Sequence, residues 1–243
     1  MIIKYLKAKR RKTMYRYETH LHTSPVSKCA RATVRESLEF YKSQGYEGVF
    51  VTNHFIYGNI ACDRSLPFAE KLDFYFSDYK EALALADEIG IKVLLGVEMT
   101  AIDGSDFLMY GLPIEWYYAH PEMEEMKPSE RLALFYESGA LVVQAHPFRD
   151  SAYIDHVHLF PRYTSAVEIY NACRTDLENR MAEAYADVYG FAKTAGSDNH
   201  SAGARTLFGG MEFDTPLTSE TDYADRIRSG EGRIFKINTE VDG

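Results

Sequence analysis

Imidazoles and carboxylates recur in this 243-residue chain where short runs of β-branched and aromatic residues end. The segments are Glu18-Thr-His20-Leu-His22, Val51-Thr-Asn-His54, Val143-Gln-Ala-His146-Pro147 and Gly196-Ser-Asp198-Asn-His200, and Gly96-Val-Glu98 closes a fifth run. In an extended strand, side chains two apart share a face, so His20 and His22 point the same way, as do Asp198 and His200. If that face lines a barrel, both members of a pair reach one divalent ion. A buried carboxylate such as Glu98 needs a cation or donors to stay charged. Its two oxygens can also bridge two ions about 3.5–4 Å apart, the spacing of hydrolytic two-metal sites. His156-Val-His158 has the same HxH form but sits in a stretch with prolines and charges, so it reads as surface or substrate-facing. His120, beside Pro121, reads as an ordinary surface histidine.

The elements that must position these groups alternate in type. Strands are expected over 14–21, 48–53, 92–97, 106–111, 140–145, 166–170 and 192–196. A helix with a capping box, Thr33 to Glu36, lies between the first two and closes at Gly45. A second carries Leu72, Phe76, Tyr79, Leu83 and Ala86 at helical spacing as far as Ile89, with Gly90 ending it. Pro128 opens another that Gly139 stops, and Thr175–Tyr189 forms a fourth before Gly190. Such alternation predicts an α/β fold with a largely parallel sheet, closed into a barrel with the site at the strand C-termini. The stretches 57–70 and 147–163 read as long loops over that site. Beyond Gly210 the pattern weakens to a short helix near 219–228 and a last strand near 233–237. The expected organisation is a basic arm over 1–13 and a single barrel domain over 14–243.

Composition narrows the classes. Hydrophobic residues make up 46%, ordinary for a globular protein, and no run approaches the roughly 20 apolar residues of a membrane span. The N-terminus lacks the apolar stretch of a signal peptide. Cys29, Cys62 and Cys173 are odd in number and without a CxxC, which suits a reducing cytoplasm. A formal charge of −9 disfavours general affinity for nucleic acid, although residues 1–16 carry basic residues and no acidic one. That arm reads as a solvated chain end.

The ordered set HxH, [DN]H, GxE, AHP and GSDxH resembles the polymerase and histidinol phosphatase (PHP) superfamily of metal-dependent phosphoesterases, over residues 18 to 200. The resemblance implies a distorted, TIM-barrel-like (β/α)7 barrel with two or three divalent ions, zinc, manganese or iron, at its mouth. By motif, His20, His22, Glu98 and Asp198 would hold one ion. Glu98 would bridge to a second, shared with His146, and His54 and His200 would serve a third. Three positions depart from the family pattern. Asn53 stands where an aspartate usually precedes the histidine, and carries no charge. Asp106 stands where a histidine usually opens the fourth strand, and a carboxylate there would shift the second ion's site toward harder metals. Lys28 stands near a usual histidine and cannot ligate, so the third ion would need Ser27, Cys29 or water.

The implied chemistry is hydrolysis of a small phosphomonoester, of histidinol-phosphatase or nucleotide-phosphatase type, by attack of metal-bound hydroxide on phosphorus. Glu98 and Asp198 serve it through the ions, and His54 or His200 can protonate the leaving alkoxide where no third metal does so. Arg149, three residues beyond His146, and Arg174, after the Val167–Asn171 run, are candidate phosphate ligands, since a guanidinium grips two oxygens. Asn171 is a candidate at the substrate, and Glu168 and Asn171 are candidates to line the rim or brace the ligands. The alternatives are a two-metal amidohydrolase-like hydrolase, a nuclease acting on strand ends, and a non-catalytic regulatory module. The expected partner is a small phosphorylated substrate, with no membrane; the sequence sets no oligomeric state.

Overall fold

A computed structural model describes residues 14–102 and 104–240. The basic arm expected over 1–13 lies outside the described residues. Nine strands are found among the described residues: β1 (Tyr15–Leu21), β2 (Gly48–Val51), β3 (Lys92–Ile102), β4 (Ser105–Tyr110), β5 (Leu141–Ala145), β6 (Ala166–Asn171), β7 (Ala192–Gly196), β8 (Leu207–Phe213) and β9 (Arg233–Asn238). They pair into one sheet in the order β7-β6-β5-β4-β3-β2-β1-β8-β9. The pairs β1–β2, β2–β3, β5–β6 and β6–β7 are parallel. The sheet curls until its far side meets β1: Leu21 bridges Asn199, and Thr19 Oγ1 donates to the Ala195 carbonyl at 2.5 Å. The result is a mixed α/β fold with a nearly closed, barrel-like sheet.

Two features differ from strict alternation. β4 runs antiparallel to both β3 and β5, because β3 and β4 form a hairpin too tightly joined for an intervening helix. Gly104 takes φ +77° in that turn, and a Cβ there would meet the Arg149 guanidinium at 2.8 Å. β8 begins in sequence the pattern left unassigned, since Gly209 and Gly210 dilute its alternation. Those glycines are needed: a Cβ on Gly209 would lie 2.5 Å from the Tyr170 ring, and one on Gly210 2.1 Å from the Tyr17 carbonyl oxygen.

The helices are α1 (Val34–Ser43), α2 (Phe68–Tyr75), α3 (Ser77–Ile89), α4 (Ile114–Tyr118), α5 (Pro128–Glu137), α6 (Asp176–Tyr189) and α7 (Glu220–Arg228). Both strands of the Thr33–Glu36 capping box form, and Thr175 with Glu178 caps α6 the same way. The single second helix expected through Ile89 is instead two, broken at Phe76. The break resets the register, so Asp78 and Ala82 face inward while Leu83 is exposed. No helix among the described residues is long and apolar enough to cross a membrane.

Core and site share strand faces. Leu94 packs with Tyr17, Phe50, Leu108 and Val143 inside the curled sheet. Glu98, four residues further along β3, lies on the same face nearer the strand's end. Apolar side chains therefore fill one end of the barrel, and the ionisable ones gather at the other.

Candidate metal centre

Six strands deliver the site. β1 carries His20 and leads into His22; β2 leads through Thr52 and Asn53 to His54; β3 carries Glu98 and β4 Asp106. β5 ends directly before His146, and β7 two residues before Asp198. Of the three described non-glycine residues with positive φ, His146 (28°) and Asp198 (53°) are two. Left-handed backbone costs on the order of 1–3 kcal/mol and persists only where the surroundings impose it. Here it turns each side chain back over the barrel end.

Glu98, 1% exposed, sits between four imidazoles. Its Oε1 is 3.1 Å from His20 Nε2 and 3.4 Å from His146 Nε2. Its Oε2 is 3.4 Å from His22 Nε2 and 2.5 Å from His54 Nδ1. Asp198 Oδ1 lies 3.6 Å from His20 Nε2 and 3.5 Å from His22 Nε2. Asp106 Oδ2 is 3.9 Å from His146 Nε2, and Asp198 Oδ2 is equally far from it. Despite this crowding, His22 Nε2, His54 Nδ1, Glu98 Oε2 and both His146 nitrogens are buried without an aligned hydrogen bond. Orphaned buried groups are costly, and here they converge. One potential ligand atom from each of His20, His22 and Asp198 lies within 4.8 Å of the others, and the same holds for Glu98, Asp106 and His146, and for His22, His54 and His200. Such donor sets fit divalent cations.

Partners behind the rings decide which nitrogen faces inward. His20 Nδ1 is 2.9 Å from Glu168 Oε1, and a carboxylate can only accept, so Nδ1 carries the proton and Nε2 faces Glu98 and Asp198. His200 Nδ1 is 2.9 Å from the Asp198 carbonyl oxygen, which likewise requires a donor. His22 Nδ1 is 3.0 Å from Ser27 Oγ. That hydroxyl donates to Asn53 Oδ1 at 2.9 Å and accepts from the His54 amide at 3.0 Å, so its remaining lone pair accepts from His22. In three of the five site histidines Nδ1 is thus held from behind, which leaves Nε2 as the atom free to meet a cation once any proton on it departs.

These supports also show what the departures from the family pattern do. Asn53 holds Ser27 and Thr23 through its oxygen, and its amide donates to Asp78 Oδ2 at 3.0 Å. The loop bearing the third-site neighbours is therefore braced without a charged residue at 53. Asp106 accepts from Thr100 Oγ1 on Oδ1 at 2.6 Å, and its Oδ2 pairs with Arg149 Nη2 at 3.1 Å while lying 3.9 Å from His146 Nε2. Asn171, read as a substrate contact, is fully buried. Its amide is spent on Glu168 Oε2 at 2.9 Å and Asp198 Oδ2 at 3.3 Å, so it braces carboxylates instead. Glu168 Oε2 also accepts from the His146 amide at 3.1 Å. Glu18 accepts through Oε1 from the His20 and Ser197 amides at 2.8 and 2.9 Å, and burial pushes its carboxyl up to about 7.

Burial opposes ionisation throughout the cluster, but the pairings outweigh it. Burial would raise Glu98, yet the charges of His54, His22 and His20 hold it well below the usual carboxylate range. Burial would lower His20, yet Glu168, Asp198 and Glu98 hold its imidazole well above the usual value. His22 goes the other way, depressed by burial and by His200 and His54. A cation seated among these carboxylates would take over the role that the raised His20 and His54 imidazoles play toward them, displacing any proton held there.

A cavity of about 540 Å³ opens over this cluster. Arg149 and Arg174, the candidate phosphate ligands, both line it. Arg149 is anchored to the Gly104 carbonyl at 3.1 Å and to Asp106. The Nε atoms of both arginines are buried and unpartnered. Cys29, Tyr57, Arg64 and Tyr153 line it as well; the last three lie in the two stretches read as covering loops, with nothing in their spacing to single them out. Cys29 is exposed as a residue, but its thiol is partly desolvated. Burial pushes that thiol up, and the neighbouring His200 and His54 imidazoles bring it down to about 6. His156 and His158 stay outside the cluster, and His120 stacks on Trp116 at 4.2 Å.

A family model described as PHP-associated matches residues 176–231. No curated protein matches the sequence. Among solved structures, the chain is similar to a two-domain protein from Bacteroides vulgatus containing a predicted PHP-like metal-dependent phosphoesterase. The TM-score is 0.65 at 13% identity, covering 92% of this chain and 65% of that one, so this chain spans about two thirds of that protein's length. It is also similar to an amidohydrolase from Chromobacterium violaceum with bound sulfate, at TM-score 0.55 and 14% identity, covering 90% and 97% of the two chains. The lesion-specific endonuclease PfuEndoQ from Pyrococcus furiosus matches at TM-score 0.55 and 17% identity, covering 91% and 58%. These likenesses establish a shared fold. The PHP-associated match covers the segment from α6 through α7.

Proposed function

We propose that the chain is a metal-dependent phosphoesterase that hydrolyses a small phosphomonoester. The observation that carries this reading is Glu98, a buried carboxylate within 3.4 Å of four imidazoles, three of which, His22, His54 and His146, turn a nitrogen without an aligned hydrogen bond toward it. We read β1–β7 as the distorted seven-stranded barrel, with β8 and β9 extending the sheet beyond β1. His20, His22 and Asp198 would hold one divalent ion, His146 and Asp106 a second, with Glu98 between them. Bound there, two such ions would acidify water and neutralise phosphoryl charge.

The chain's own groups do the rest. Glu168 and Ser27 fix the tautomers of His20 and His22, so the ligand set is preorganised and reorganises little on binding. Arg149, held by Gly104 and Asp106, lines the cavity with its part-buried guanidinium, and Arg174 does so from the residue before the N-cap of α6. Two planar cations beside a metal cluster suit a tetrahedral dianion better than a neutral amide. The cavity volume is that of a small-molecule site, which favours a metabolite-sized ester over a duplex. A cytoplasmic location belongs to the same proposal.

The test is a substrate panel run on metal-replete protein: aryl phosphate, nucleoside monophosphates, sugar phosphates, amides, lactones and an abasic duplex. Turnover concentrated on phosphomonoesters is expected. Inertness toward every phosphoester alongside amide or lactone hydrolysis would sink the proposal.

A further inference from the structure

We propose that Arg131 is a positioning residue for the substrate cavity: its guanidinium holds the Tyr57 ring, and through it the turn that seats Arg64, at the cavity wall. The inference rests on the reading of that cavity as a phosphoester site and adds a residue that does not line it.

Arg131 is out of character with its place on α5. The helix turns Arg131, Leu132 and Phe135 inward, and the last two belong to a core cluster with Phe55 and Tyr117. Arg131 is only 9% exposed beside them. Among the described residues no carboxylate pairs with it, and its Nε and Nη1 are buried without an aligned hydrogen bond. Taking a guanidinium out of water without a counter-charge is costly. Well-packed apolar replacements of buried ionic groups are often neutral or stabilising, so packing alone does not ask for arginine here.

What the guanidinium meets is a ring. Its Cζ lies 3.8 Å from the centroid of Tyr57, within reach of a cation–π attraction that strengthens as water is excluded. Tyr57 lines the cavity. Its hydroxyl is buried without an aligned hydrogen bond, so the ring is placed by contacts on its face and edge. Phe55 supplies an edge contact, with centroids 5.6 Å apart, and Arg131 the charged one.

The turn beyond Tyr57 is built on that placement. The Gly58 amide donates to the Phe55 carbonyl at 2.7 Å, closing the turn around Tyr57. A Cβ on Gly58 would lie 2.9 Å from Thr100 Oγ1 and 3.4 Å from His54 Cβ, so its backbone is pressed against the site. The Gly58 carbonyl then accepts from Arg64 Nη2 at 3.0 Å. Tyr57, Gly58 and Arg64 all line the cavity that Arg149 and Arg174 line. A displaced Tyr57 ring therefore shifts a cation at the substrate, although Arg131 itself touches none.

The test compares the metal-replete full chain with Arg131→Met, Tyr57→Leu and the double variant. Methionine keeps length and apolar packing but removes the charge. Kinetics on an aryl phosphate, thermal unfolding and hydrogen exchange of the amides over 55–64 are the readouts. Arg131→Met is expected to melt no lower than wild type. Its KM is expected to rise about 3–30-fold, the factor a desolvated guanidinium–ring contact can carry, with kcat within about twofold. Exchange over 55–64 is expected to quicken, and the KM effects of the two single variants not to add in the double one. Arg131→Gln takes the place of the methionine variant if that chain does not fold. Wild-type KM, unchanged exchange over 55–64, or additive KM effects overturn the positioning role and leave the phosphoesterase reading standing. A wild-type chain inert toward phosphomonoesters, with exchange still quickened in Arg131→Met, overturns that reading and leaves the hold on Tyr57 standing.

Discussion

Glu168→Gln tests whether the partners behind the rings set the chemistry in front of them. The wild-type carboxylate accepts from three buried donors: His20 Nδ1 at 2.9 Å on Oε1, and the His146 amide at 3.1 Å with Asn171 Nδ2 at 2.9 Å on Oε2. Glutamine keeps the shape but has one accepting oxygen and an NH2 that only donates. If the oxygen faces His20, the NH2 opposes the His146 and Asn171 donors, and buried unpaired groups cost about 1–3 kcal/mol. If the oxygen faces those two, the NH2 opposes His20 Nδ1 and favours the tautomer protonated on Nε2, which cannot ligate. Either arrangement weakens the first ion's site without removing a ligand. The expected loss is about 10–100-fold in metal affinity, the range for partners of ligating histidines, equivalent to roughly 1.4–2.7 kcal/mol. Competition against a chromophoric chelator reads the affinity, and thermal unfolding confirms that the variant is folded. A folded variant with wild-type affinity would refute the reasoning.

Two further outcomes follow from the same geometry. Glu18 is fully buried with its carboxyl raised from an ordinary 4.5 to about 7, so the folded chain binds that proton more tightly than the unfolded one. Its stabilising contribution is therefore full below about pH 4.5 and lost as pH rises toward 7, an effect on the order of 3 kcal/mol. Denaturant melts of chelated protein across that range are expected to slope downward relative to Glu18→Gln, and parallel curves would contradict the assignment. Arg149→Ala removes a charged phosphate contact worth about 1.5–3 kcal/mol, so kcat/KM for a phosphomonoester is expected to fall roughly 10–100-fold. Unchanged kinetics would remove Arg149 from the substrate site.

The candidate ligands were legible because each motif is local. His20 with His22, and Asp198 with His200, are neighbours whose shared face follows from strand geometry alone. Glu168 and Asn171 stood as candidate braces, but which group each one holds was not legible, because Glu168 reaches His20 across 148 residues of sequence and Ser27 meets Asn53 across 26. Asn171 fits both a substrate contact and a brace in sequence, because a polar residue at a strand end looks alike whether it faces a ligand or a buried carboxylate. Among the elements, hydrophobic alternation identified β4 but carries no direction, so its antiparallel course emerged only from its pairing. β8 was hidden by Gly209 and Gly210, which are there because Tyr170 and Tyr17 leave no room for side chains. The break at Phe76 joins two segments of good helical propensity, and no proline or glycine marks it.

The central claim is that Glu98 sits between two divalent ions on which phosphoester hydrolysis depends. It is tested most directly by elemental analysis of purified wild type and Glu98→Gln, each assayed on an aryl phosphate before and after chelation. At least two divalent ions per wild-type chain are expected, with activity lost on chelation, regained on metal addition, and absent from Glu98→Gln. Turnover that survives complete removal of metal, or a Glu98→Gln chain with wild-type metal content and rate, would contradict the account.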